Sequence, residues 1–121
     1  MTMVKMKSDY DKENDILFVY DPKRKSHGSI EIGSGIVVDF DNDKRINAIE
    51  LISASELLST LTTQKITKGD LEGLIAATML TKITRGVEII LLMLAWKGKT
   101  VEAPVTLPDL RQKAVIIASH K

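Results

Sequence analysis

The residues best placed to do chemistry are carboxylates. Asp39, Asp41, Asp43 and Glu50 lie in the run Asp39-Phe40-Asp41-Asn42-Asp43-Lys44-Arg45-Ile46-Asn47-Ala48-Ile49-Glu50. Its spacing follows the calcium loop, in which alternate Asp or Asn oxygens, a central glycine and a closing glutamate converge on one hard cation. Cation binding, or a small carboxylate-dependent hydrolase using Asp39, Asp41 and Glu50, is therefore one class of function to test. Two features oppose it. Lys44 stands where the loop places glycine, and the flanks Ile36–Phe40 and Ile46–Ile52 alternate as strands do. Two strands around a polar turn make a hairpin. Pairing Phe40 with Ile46 puts Ile36, Val38, Phe40, Ile46 and Ala48 on one face and Asp39, Asp41 and Asn47 on the other, so that Asp39 and Glu50 leave opposite faces. The hairpin is the stronger reading, and no metal or cofactor is assigned. Glu50 falls among apolar neighbours, either at a sheet margin beside a lysine or as a general base whose partner the sequence does not show.

Other reactive types are sparse. The chain has no cysteine, which removes disulfides, thiolate nucleophiles and cysteine zinc sites together. His27 and His120 lie far apart without ligand-like spacing, and a serine with no placed base is only a serine. Gly33-Ser34-Gly35 precedes a strand and so lacks the helix N-terminus of a phosphate cradle. Lys23-Arg24-Lys25 with His27 forms a basic loop that could touch phosphate or nucleic acid. No aromatic residues interleave with it, and a solvated loop explains it better. A net charge of +1 gives no general case for nucleic-acid or membrane attraction. No catalytic residue is assigned.

The elements that would position these groups follow from periodicity. Hydrophobic residues at 44% and charged residues at 27% describe an ordinary globular chain. Val4 and Met6 alternate with Lys5 and Lys7 as an opening strand, and a turn follows over 9–15. Strands are expected at Ile16–Tyr20, Ser29–Ile32, Ile36–Phe40 and Ile46–Ile52. Ser53-Ala54-Ser55-Glu56 fits a capping box ahead of Leu57, Leu58 and Leu61. A second short helix, weakened by Gly69 and Gly73, starts near Thr67. Residues 74–84 could be helix or strand, with strand favoured because Thr84-Arg85-Gly86 reads as a turn before Val87–Trp96. After the turn Lys97-Gly98-Lys99, Thr100–Thr106 is a further strand. Pro108 suits the first turn of a C-terminal helix carrying Leu110, Ala114, Ile117 and Ala118, unless 114–118 is a last strand. These elements predict an α+β fold: an antiparallel β-meander with a central short helix, further antiparallel strands and a C-terminal helix, in one domain over 1–121.

The run Ile89-Ile90-Leu91-Leu92-Met93-Leu94-Ala95-Trp96 is apolar on both faces if it is a strand, so both faces need cover. The domain's own helices can cover one. For the other the expectation is a second subunit, with Ile89, Leu91, Met93 and Trp96 at a homo-oligomer interface. The run is under half the ~20 residues that a spanning helix needs. Met1–Asp9 alternates Lys with apolar residues and lacks the continuous apolar stretch of a signal peptide. A cytoplasmic protein without membrane contact is expected.

Tyr10-Asp11, Asp15, Ile16-Leu17-Phe18-Val19, Gly35-Ile36-Val37-Val38-Asp39-Phe40-Asp41, Ile46 and Ala48-Ile49-Glu50-Leu51-Ile52-Ser53-Ala54-Ser55 together resemble the domain of unknown function 2283 family. The resemblance covers about residues 4–60 and leaves 61–121 as an extension. It implies a small antiparallel sheet followed by a helix, no established activity, and an antitoxin-like role with a small protein partner. The family tends to have glycine where this chain has Lys44. The function expected is thus a non-catalytic protein-interaction module that forms a homo-oligomer.

Overall fold

The computed structural model describes residues 2–33 and 35–108. The strands are β1 (Thr2–Asp11), β2 (Ile16–Tyr20), β3 (Gly28–Ile32), β4 (Ile36–Phe40) and β5 (Ile46–Ile52). After the helices α1 (Ala54–Thr62) and α2 (Lys68–Glu72) come β6 (Ala76–Thr84), β7 (Val87–Trp96) and β8 (Lys99–Pro108). All eight strands form one sheet in the order β3-β4-β5-β2-β1-β6-β7-β8, and every pairing is antiparallel.

β1 is the joint of this sheet. Its first half, Thr2–Met6, pairs with β6, and its second half, Lys7–Asp11, pairs with β2. One long strand therefore carries a five-stranded half (β3-β4-β5-β2-β1) and a four-stranded half (β1-β6-β7-β8). The sheet curls into a half-barrel. Its inner face holds Leu17, Val38, Phe40, Leu51, Ile90, Leu92 and Leu94, all fully buried, together with Leu58 of α1 and Leu71 of α2. α1 packs across this face against β5 and β8. A fully buried Leu contributes about 1.5–3 kcal/mol by area, so Leu58 alone fixes α1 firmly.

The expected α+β class is corrected. Among the described residues strands account for 57% and helices for 13%, so that part of the chain is mostly antiparallel β with two small helices. Residues 74–84 and 87–96 extend the same sheet instead of building a separate layer, because β-branched and apolar residues fill both strands. A simple meander is corrected as well. β3 lies at the outer edge, and β5 returns to pair with β2. Residues 109–121, where a C-terminal helix or last strand was expected, lie outside the described residues.

Candidate functional site

The carboxylate run forms the β4–β5 hairpin. The Lys44 amide donates to the Asp41 carbonyl at 3.0 Å, and the Asp41 amide donates to the Arg45 carbonyl at 2.9 Å. Asp41 Oδ1 accepts from the amides of Asp43 at 2.9 Å and Arg45 at 3.0 Å. Its other oxygen takes Arg24 Nη1 at 2.5 Å, and Asp21 Oδ2 lies 3.6 Å from Arg24 Nε. Burial alone would raise the Asp41 pKa, but the donors Arg45, Arg24 and Asp43 outweigh it and hold the carboxyl below its usual range. Asp41 is thus spent on closing the turn and clamping the basic loop. Of that loop, Arg24 is held in ion pairs with Asp21 and Asp41 while staying partly exposed to solvent.

The register of the hairpin differs from the expected one at a single point. Phe40 faces Ile46 as the alternation implies, but Asp39 faces Ala48, and Asn47 is the extra residue of a β-bulge between them. Asn47 is buried, and its amide donates to Ser26 Oγ at 3.2 Å and to the Arg24 carbonyl at 3.4 Å. The bulge exchanges the faces of β5 beyond it. Glu50 therefore pairs with Val37 and leaves the face of Ile46, and it shares the outer face with Asp39. The row across the sheet there reads Asp9, Phe18, Glu50, Val37, Glu31.

Sharing a face does not make a site. Asp39 accepts from Ser26 Oγ at 3.0 Å, Asp41 is engaged by Arg24, and Asp43 is exposed in the turn. Among the described residues no group of three or more His, Cys, Asp or Glu is placed to hold a metal ion.

A second polar cluster joins residues far apart in sequence. Tyr10 Oη donates to Asp15 Oδ1 at 2.7 Å, and Ser55 Oγ donates to Asp15 Oδ2 at 2.7 Å. The Ser55 amide also points at this carboxylate, 3.1 Å from Oδ1, and the Ala54 amide donates to the Asp15 carbonyl at 2.8 Å. Asp15 thus satisfies the free amides that open α1. The expected capping box on Ser53 is corrected, since Ser53 is left-handed at φ 53° and its side chain makes no capping bond. That box occurs instead on α2, where Thr67 and Asp70 cap each other. Burial would raise the Asp15 pKa, but the bonds from Tyr10 and Ser55 hold it below the usual range. Burial first, and then Asp15, push the Tyr10 hydroxyl up. The signal for this cluster was present as three separate motif pieces, Tyr10, Asp15 and Ser55, with nothing in the spacing to join them.

Among the described residues nothing covers the outer face of the four-stranded half, where an apolar stripe runs between the exposed charges Lys5, Lys82 and Glu102. Along β7, Ile90, Leu92 and Leu94 are fully buried, whereas Ile89 is 40% exposed and Leu91 and Met93 are part-exposed. Met3 of β1, 69% exposed, and Leu80 of β6 continue the patch. Trp96 does not belong to it. By strand alternation it lies with Leu94, and its indole Nε1 donates to the Asp70 carbonyl at the end of α2.

These observations describe a curled antiparallel sheet with a carboxylate-capped helix and an apolar stripe that no described residue covers. Residues 7–55 match the family described as "Protein of unknown function (DUF2283)". The match covers the five-stranded half and ends on Ser55. A Methanosarcina mazei protein named, provisionally, a hypoxanthine phosphoribosyltransferase is 45% identical over 49 residues, which are 40% of this chain and 39% of that one. An uncharacterized protein of Methanocaldococcus jannaschii is 39% identical over 56 residues, 46% of this chain and 47% of that one. The chain thus spans less than half the length of these relatives. No solved structure matches. Among the described residues no helix is long and apolar enough to cross a membrane.

Proposed function

We propose that the protein is a non-catalytic interaction module that assembles with itself through the outer face of β1-β6-β7-β8. The observation that carries this is the stripe of Ile89, Leu91 and Met93, which stays part-exposed while its neighbours on β7 are sealed in the core. Met3 and Leu80 widen the stripe across three strands. A contiguous apolar patch on a sheet face marks a contact surface. Two antiparallel faces packed ~10 Å apart would remove it from water.

Static light scattering on the full chain at micromolar concentration should report twice the mass of one chain. Leu91→Lys places a charge at the centre of the stripe and should return the mass to one chain with the circular dichroism spectrum of the folded protein retained, because Leu91 points out of the core. A monomer mass for the unmodified protein would end the proposal.

A further inference from the structure

We infer that this assembly is a two-fold dimer whose axis runs along the strands between β6 and β7, so that each Lys5 meets the partner's Glu102. The inference rests on the self-assembly reading above and supplies its geometry.

It follows from the cross-strand register. Met3, Leu80, Leu91 and Pro104 form one row across the four strands, and Lys5, Thr78, Met93 and Glu102 form the next. Both rows lie on the outer face, which nothing among the described residues covers. The two charges stand at opposite ends of their row, Lys5 on β1 and Glu102 on β8, and both are exposed. Turning a second copy by half a turn about a line along the strands reverses each row end to end and keeps the rows in step. Leu80 then lies over the partner's Leu91, and Lys5 over the partner's Glu102. By the symmetry each contact occurs twice. A two-fold running across the strands on the Leu91–Pro104 row would instead set Glu102 against the partner's Thr106 and leave it without a charge partner. Electrostatic complementarity fixes register in this way even where it adds little affinity.

The competing mode is edge-to-edge pairing through β8, the terminal strand of the sheet. Pro104 sits near the middle of that strand, opposite Leu91. It has no amide to donate, so its side of the edge offers an interrupted ladder to a second strand. Stacking of faces escapes that defect.

Sedimentation equilibrium on the full chain at low salt tests the geometry with Lys5→Glu, Glu102→Lys and the double variant. Each single reversal sets two like-charged pairs across the interface and should raise the dimer Kd about tenfold or more. The double variant restores opposite charges and should return to within about threefold of the unmodified protein. Dimers that neither single change weakens, or singles that the double does not rescue, would overturn the axis while leaving self-assembly standing. An unmodified protein that sediments as a monomer would overturn both. Folding is not at issue, since both side chains are exposed.

Discussion

Lys44 has φ 62°, in the left-handed region where a side chain crowds the following carbonyl. The position is forced by the hairpin. Asp41 has to receive the amides of Asp43 and Arg45 while the chain reverses, and that geometry closes only if one residue near the end of the turn is left-handed. Glycine there would relieve on the order of 1–2 kcal/mol of strain and lose part of it to the greater freedom of the unfolded chain. Lys44→Gly should therefore stabilise the protein by roughly 0.5–1 kcal/mol, a rise of a few degrees in melting temperature. An unchanged or lower melting temperature would show that the strain lies elsewhere. The same physics explains the likeness to a calcium loop, since both structures reverse the chain on Asp oxygens and favour glycine at that point.

At the scale of elements, alternation located the strands well. β2, β4 and β5 have the expected bounds, and so does β7 from Val87 to Trp96. Two things were illegible because they depend on distant partners. The bulge at Asn47 cannot be read from alternation, since Asn47 and Ala48 are buried for reasons set by Arg24, Ser26 and the neighbouring strand β2. The start of α1 looked self-capped, but its cap comes from the β1–β2 turn, 40 residues away in sequence. Asp15 holds φ 54° there, a conformation that Asn also tolerates. Asp15→Asn keeps that backbone while removing the charge from the bonds to Tyr10 and Ser55. It should cost about 1–2 kcal/mol, a fall of roughly 4–10 °C in a circular dichroism melt. A loss below ~0.3 kcal/mol would show that α1 is held by packing alone.

For the molecule as a whole, these polar ties set how stability depends on pH. Asp15 joins the β1–β2 turn to α1, and Asp41 joins the basic loop to the β4–β5 turn, so both clamp the five-stranded half. Each has a folded pKa below its ordinary 3.8, so the unfolded chain binds protons more readily. Their contribution is full above 3.8 and is lost as pH falls below it. Tyr10 works in the opposite sense. Its folded pKa lies above the ordinary 10.0, so its contribution is full below that value and drains away as pH rises beyond it. The melting temperature should therefore form a plateau between about pH 5 and 9, with an acid arm and an alkaline arm. Asp15→Asn should flatten the acid arm and Tyr10→Phe the alkaline one, each lowering the plateau. A Tyr10→Phe variant whose alkaline arm matched that of the unmodified protein would show that the hydroxyl at Asp15 does not govern stability there, and that the remaining titrating groups do.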